Sequence, residues 1–187
     1  MHGIGGIVLA GGLGRRMGGV DKGLQPLHGR PMVEHVLARL APQVDEIVIN
    51  ANQNLERYAA LGHRVVSDRV GGFAGPLAGL HAGLATLSQP LAVTVPCDSP
   101  FLPADLVTRL RDQLGANDLA VAKTGEQPHP VFALVRRSVA GNLEAFLAGG
   151  GRKIDAWYAS LRVVEVAFDD EADAFRNINT LEELGRA

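Results

Sequence analysis

The residues best suited to bind a charged ligand follow the first hydrophobic run of this 187-residue chain. Residues 9–23, LAGGLGRRMGGVDKG, contain six glycines, three cations and a single carboxylate. Glycines leave backbone N–H groups accessible to an anion, and nearby cations complete the neutralisation of its charge. The stretch therefore predicts a phosphate-binding loop, with a flexible surface loop as the alternative.

Two common phosphate-binding motifs do not match this stretch. A Walker A motif has lysine directly after its second glycine, but Val20 follows the pair Gly14 and Gly19. The dinucleotide fingerprint has a third glycine three residues after its second, and Met17 occupies that position. A phosphate loop here must belong to another class.

Alternating hydrophobic patterns predict the elements that position this loop. The predicted strands cover residues 4–10, 45–50, 63–68, 91–96, 118–123, 130–135 and 162–168. The predicted helices cover residues 31–40, 76–87, 104–114, 138–150 and 152–161, and Thr180 with Glu183 introduces a short final helix. This order predicts one three-layer α/β/α domain over residues 1–187 with a mostly parallel sheet. Ligands bind such sheets beyond the carboxyl ends of the strands, where residues 9–23 begin.

Composition excludes several classes of protein. A formal net charge of −2 argues against a general basic surface for nucleic acid. Cys97 is the only cysteine, so no intramolecular disulfide can form. The first residues lack the pattern of a signal peptide, and no apolar run reaches the roughly 18 residues of a membrane helix. We expect a cytoplasmic protein.

The stretch LAGG followed by RMGGVDKGL resembles nucleotidyltransferases that transfer NMP from NTP, and is most similar to the molybdenum cofactor guanylyltransferase (MobA) family. Further motifs of that family occur in the expected order: VINAN, DRVGGFAGPLAGL, PCDSPFLP, PHPVFAL, GRK and FRNINTLEEL. The resemblance implies a Rossmann-like nucleotidyltransferase fold. It also implies that residues 1–100 bind GTP and residues 101–187 bind molybdopterin.

The resemblance implies transfer of GMP from GTP to the phosphate of molybdopterin, with release of pyrophosphate. A phosphate monoester has its second pKa at about 6, so the acceptor is ionised at pH 7 and needs no general base. Catalysis then requires alignment of two polyanions and neutralisation of their charge. The implied catalytic residues are Arg16, Lys22 and Asp98. Asp98 is also the implied ligand of Mg²⁺, although an aspartate at a strand end can equally cap a turn or helix.

The same resemblance assigns the binding residues. The nucleotide would contact the backbone of Leu9, Ala10, Gly11 and Gly12, the side chains of Lys22, Asn50, Asp68 and Asp98, and the glycines Gly75 and Gly79. For Gly79, close packing of the helix is the alternative. The pterin would contact Asn177 and Asn179, for which hydrogen bonding within a turn is the alternative. Arg152 and Lys153 would bind its phosphate.

Other functions differ from this one in particular residues. Molybdopterin cytidylyltransferases usually carry LAAG and lack GPLAG, and sugar-phosphate or isoprenoid nucleotidyltransferases also carry the alanine form. A nucleotide-binding module without catalysis would not need Arg16, Lys22 and Asp98 together. The expected partners are GTP, molybdopterin, other molybdenum-cofactor biosynthesis proteins and target apoenzymes, with no nucleic acid and no membrane.

Overall fold

A seven-stranded mixed sheet organises the computed structural model, which describes residues 3–12, 20–71, 75–176 and 178. The strands are β1 (Ile4–Leu9), β2 (Pro26–Leu27), β3 (Arg30–Pro31), β4 (Glu46–Asn50), β5 (Arg64–Val66), β6 (Leu91–Pro96), β7 (Leu119–Thr124), β8 (Gln127–Arg136) and β9 (Val163–Ala167). The helices are α1 (Met32–Leu40), α2 (Leu55–Ala59), α3 (Pro76–Leu84), α4 (Leu106–Leu114), α5 (Ala140–Ala148) and α6 (Ile154–Tyr158). Short 3-10 turns cover Lys22–Leu24, Ala41–Gln43, Arg137–Val139 and Asp169–Phe175.

The strand order β5-β4-β1-β6-β8-β7-β9 confirms the predicted mostly parallel sheet. The strands β5, β4, β1 and β6 are parallel, and β9 is parallel to β7. Only β8 is antiparallel to its two neighbours in this sheet. The carboxyl ends of the parallel strands and the first residues of β8 therefore lie along one edge of the sheet, which we call the carboxyl edge.

Apolar side chains on both faces of β1 explain why helices cover both faces of the sheet. Ile4 and Val8 pack into one core with α1 and α4, whereas Ile7 packs into a second core with α3 and α5. Neighbouring strand residues point to opposite faces, so strands that are apolar at nearly every position need cover on both. The structure thus has the predicted three layers. In the described part of the chain, no helix is both long and apolar enough to cross a membrane.

Several predicted boundaries were wrong. The helix predicted over residues 31–40 begins at Met32, because Pro31 is extended and pairs with Pro26 in a small hairpin. The strand predicted over residues 63–68 is limited to β5, so Asp68 lies beyond its end. The helix α2 was not predicted, and α3 ends at Leu84. The final helix predicted from Thr180 lies outside the described residues.

Candidate active site

The strand-end segment at residues 9–12 is held by hydrogen bonds to both neighbouring strands. The backbone N–H of Ala10 donates to the carbonyl of Asn50 at 2.8 Å, and that of Cys97 donates to the carbonyl of Leu9 at 3.1 Å. These bonds extend the ladder beyond the end of β1. Gly11 is half-buried and Gly12 is exposed, so the backbone becomes accessible where the ladder ends. This is the position predicted for the nucleotide.

Asn50, Asn52 and Asp68 form a hydrogen-bonded group, the Asp68 clamp, beside this segment. The Nδ2 of Asn50 donates to Asp68 Oδ1 at 2.8 Å and to the carbonyl of Val66 at 3.3 Å. The Nδ2 of Asn52 donates to Asp68 Oδ2 at 3.0 Å. Asn50 is only 2% exposed, so its side chain is held in place by packing. Its hydrogen bond to Oδ1 therefore orients Asp68. Asp68 is half-buried, and Asn52 is exposed.

Two glycines make room for Asn50. A Cβ at Gly79 would lie 2.3 Å from Asn50 Oδ1 and 2.7 Å from Leu9 Cδ2. A Cβ at Gly11 would lie 2.9 Å from the same Oδ1. Real Cβ atoms do not approach this closely, so both positions require glycine for packing. Gly75 precedes α3 with φ of +62°, a conformation that side-chain-bearing residues rarely adopt.

Lys22 and Asp98 bring opposite charges together at the carboxyl edge. The Nζ of Lys22 lies 3.2 Å from Asp98 Oδ2, although the two residues are 76 positions apart in sequence. Asp98 is 8% exposed, and its backbone carbonyl accepts a hydrogen bond from the N–H of Ile178 at 2.9 Å. The structure thus brings together two of the three predicted catalytic residues. The third, Arg16, lies outside the described residues.

Asp21, directly before Lys22, is fixed by two residues that the sequence analysis missed. The hydroxyl of Tyr58 donates to Asp21 Oδ1, and Asn54 Nδ2 donates to Asp21 Oδ2 at 3.0 Å. Tyr58 is fully buried. A Cβ on Gly23 would lie only 2.6 Å from the hydroxyl oxygen of Tyr58, so glycine makes room for this hydroxyl. Burial raises the pKa of Tyr58, and its hydrogen bond to the negatively charged carboxylate of Asp21 adds to the effect, so the phenol remains a donor. This network anchors α2 to the segment that carries Lys22.

The Tyr58→Phe substitution tests this anchor. Loss of the hydroxyl leaves Asp21 with one donor fewer, so we expect the free energy of unfolding to fall by about 1–2 kcal/mol and the KM for GTP to rise. Denaturant unfolding and steady-state kinetics measure the two effects. Tyr158→Phe is the matched control, because the hydroxyl of Tyr158 donates to the neutral carbonyl of Pro130 instead. An equal KM in the two variants would contradict the anchoring role.

Cys97 does not have the environment of a nucleophile. Its side chain is buried, and burial raises the pKa of the thiol, with the negative charges of Asp98 and Asp21 adding to the effect. A reactive cysteine requires a lowered pKa. This agrees with the interpretation of Cys97 as a buried small residue.

Two of the residues predicted for the pterin, Arg152 and Lys153, lie between α5 and α6. Arg152 Nη1 donates to the carbonyls of Leu147, at 2.9 Å, and Gly151, so it closes the carboxyl end of α5. Lys153 is exposed directly before α6. Asn177 and Asn179 lie outside the described residues, but Ile178 between them is buried. The hydrogen bond from the Ile178 N–H to the Asp98 carbonyl places Ile178 itself next to the Lys22–Asp98 pair.

A metal ion bound at this edge of the sheet would have few protein ligands among the described residues. Among the described residues, no group of three or more His, Cys, Asp and Glu side chains could hold one. A single carboxylate such as that of Asp98 is nevertheless compatible with Mg²⁺, which usually keeps several waters and binds one or two carboxylates together with phosphate oxygens. The described residues therefore fit magnesium that arrives bound to a nucleoside triphosphate. They do not form a site in which protein side chains alone hold the ion.

Comparison with known proteins gives consistent matches over nearly the whole chain. The sequence model of the MobA-like NTP transferase domain matches residues 6–163. A molybdenum cofactor guanylyltransferase of Cupriavidus necator is 55% identical over 186 residues, covering 96% of this chain and 93% of the relative. A protein of the same name from Shewanella putrefaciens is 51% identical over 179 residues, covering 95% and 92% of the two chains.

Solved structures share the fold. The molybdopterin-guanine dinucleotide biosynthesis protein A of Archaeoglobus fulgidus superposes with a TM-score of 0.78 at 28% identity, covering 97% of this chain and 95% of its own. The 4-diphosphocytidyl-2C-methyl-D-erythritol synthase of Anaerococcus prevotii gives 0.75 at 16% identity, covering 98% and 95%, a likeness of fold alone.

Proposed function

The chain belongs to the MobA-like NTP transferase family, and from this premise we propose that it transfers GMP from GTP to the phosphate of molybdopterin. It is a nucleotidyltransferase of molybdenum cofactor biosynthesis. The observation that carries this function is the conjunction, at one edge of the sheet, of a glycine-lined strand end, the Asp68 clamp and the Lys22–Asp98 pair. The Asp68 clamp suits a purine base, and the Lys22–Asp98 pair suits a triphosphate.

The reaction exchanges one phosphoanhydride bond for another. An oxygen of the molybdopterin phosphate attacks the α-phosphorus of GTP, and the bond from that phosphorus to the bridging β-oxygen breaks. The electron pair of the broken bond leaves with pyrophosphate. The acceptor is ionised at pH 7, so no proton has to be removed by the protein. What the chain must supply is alignment and charge neutralisation.

Lys22 and Arg16 supply positive charge to the triphosphate and to the leaving pyrophosphate. Asp98 would hold Mg²⁺, whose chemistry when bound is to neutralise the phosphate oxygens. In this structure the carboxylate of Asp98 is paired with Lys22, so it lies within reach of the group that contacts the phosphates. Burial of Asp98 strengthens its interaction with a cation relative to an exposed carboxylate.

The Asp68 clamp selects the base. Guanine presents N1–H and the exocyclic N2 amino group side by side, and a carboxylate can accept a hydrogen bond on each oxygen. Cytosine does not present two donors in this arrangement. The backbone of residues 9–12 lies beside the clamp, and Gly75 and Gly79 let the start of α3 approach it. In this proposal Asp68 recognises guanine, and Asn50 orients the carboxylate of Asp68.

The pterin half of the proposed site lies next to Asp98, where Ile178 is bound. We propose that Asn177 and Asn179 hold the pterin beside Asp98 and that Lys153 contributes charge to its phosphate. In this structure the guanidinium of Arg152 caps α5, so the same role for Arg152 requires a change of rotamer. The reaction would take place in the cytoplasm, with other cofactor biosynthesis proteins delivering the pterin and target apoenzymes receiving the product.

Pyrophosphate release tests the function directly. Purified protein is mixed with Mg²⁺, anaerobically prepared molybdopterin and either GTP or CTP, and pyrophosphate is quantified. We expect release with GTP that depends on the pterin, and little with CTP. Faster release with CTP would assign the chain to the cytidylyltransferases. Binding of GTP without any release would identify a nucleotide-binding homologue without catalysis.

A further inference from the structure

Asn52 lies in the loop after β4 and makes three hydrogen bonds around the Asp68 clamp. Its Oδ1 accepts from the backbone N–H of Asp68 at 2.9 Å. Its Nδ2 donates to Asp68 Oδ2 at 3.0 Å and to the carbonyl of Gly11 at 3.3 Å. One side chain thus connects the carboxylate of Asp68, its backbone and the strand-end segment at residues 9–12.

These bonds fix the orientation of the Asn52 amide. A backbone N–H can donate only to the amide oxygen, so Oδ1 must face the N–H of Asp68. The Nδ2 is then directed at the carboxylate. With Asn50 Nδ2 on the other oxygen, each oxygen of Asp68 has one donor that sets the rotation of the group. Each oxygen can still accept a second hydrogen bond, since a carboxylate has about four acceptor positions.

We propose that Asn52 is a specificity-determining positioning residue, which makes the site prefer guanine over a purine without the exocyclic amino group. The inference rests on the proposed function, in which Asp68 binds N1–H and N2. Both bonds form together only when the plane of the carboxylate is aligned with the plane of the base. Asn50 is buried and would remain, but alone it leaves the carboxylate free to rotate about a single donor.

The nucleotides GTP and ITP separate this role from general binding. Hypoxanthine in ITP keeps N1–H but lacks the N2 amino group, so GTP can form one more bond to Asp68. In the wild type we expect GTP to bind about tenfold more tightly than ITP, the ratio that corresponds to one good hydrogen bond. Calorimetric titration with each nucleotide in Mg²⁺ gives the ratio of the two Kd values.

Two substitutions remove the donor. Asn52→Asp is isosteric and places a carboxylate opposite Asp68, and Asn52→Ala removes the side chain without adding charge. For both, we expect GTP affinity to fall about tenfold or more and the GTP-to-ITP ratio to approach one. Gln53→Ala is the matched control, because Gln53 is exposed in the same loop. Thermal unfolding establishes that each variant is folded. If Asn52→Asp does not fold, the comparison of GTP with ITP is made with Asn52→Ala alone.

The outcomes distinguish the inference from the proposed function. A folded Asn52 variant that keeps the wild-type GTP-to-ITP ratio would overturn the inference. A wild type that binds CTP better than GTP would overturn the proposed function instead. A double-mutant cycle adds an independent criterion: in the Asp68→Ala background, Asn52→Ala should change GTP affinity little, because its effect passes through Asp68. A full, additive effect there would also overturn the inference.

Discussion

We expect the Asp98→Asn variant to release pyrophosphate from GTP on the order of 10²–10³-fold more slowly than the wild type, at saturating nucleotide and pterin. The substitution keeps the shape of the side chain but removes the charge that faces Lys22 Nζ at 3.2 Å and that we propose as the ligand of Mg²⁺. The loss should appear mainly in kcat, because the charge on the leaving pyrophosphate grows as the bond breaks. The Mg²⁺ concentration required for half-maximal rate should rise as well.

Asp105→Asn is the matched control for this variant. Asp105 carries the same chemical group directly before α4, where its side chain is 53% exposed and lies 3.9 Å from Arg109. Surface pairs of this kind contribute little, so we expect an unchanged rate and a nearly unchanged Tm. A wild-type rate and a wild-type magnesium requirement in Asp98→Asn would exclude Asp98 as the metal-binding residue.

We expect Gly79→Ala to disrupt both folding stability and nucleotide binding. The new methyl group would stand 2.3 Å from Asn50 Oδ1 and 2.7 Å from Leu9 Cδ2, so α3 must move away from the sheet or Asn50 must turn. Overpacking of this kind costs about 1–3 kcal/mol, which outweighs the roughly 1 kcal/mol that alanine gains over glycine in a helix. Because Asn50 orients Asp68, GTP affinity should fall together with the Tm.

Gly141→Ala measures the helix propensity without the clash. Gly141 lies in α5, and a Cβ there would meet nothing within 4 Å among the described atoms. We expect this variant to be slightly more stable than the wild type and to bind GTP normally. If Gly79→Ala behaved in the same way, the contact between Gly79 and Asn50 would not control the site.

Ligands bind parallel sheets beyond the carboxyl ends of the strands, so several candidate site residues could be placed together from sequence. Asn50 ends β4, Asp98 follows β6 and residues 10–12 follow β1, so a parallel sheet necessarily brings these three positions to one edge. The cores of the two faces were also predictable, because the strands and α1 carry apolar residues at the periods of their structures. The helix α2 was missed because only one of its five residues, Tyr58, is buried, so it shows no apolar period.

The sequence by itself determined the fold class, the family and the edge of the sheet at which we place the site, because periodicity and motifs are local properties of the chain. Only the tertiary structure decided which side chains meet. Asn52 orients Asp68 from 16 positions away, and Tyr58 holds Asp21 from 37 positions away. These contacts depend on which strands are neighbours and on the path of the loops between them. No local pattern encodes that path, so the polar partners that position Asp68 and Asp21 could be identified only in three dimensions.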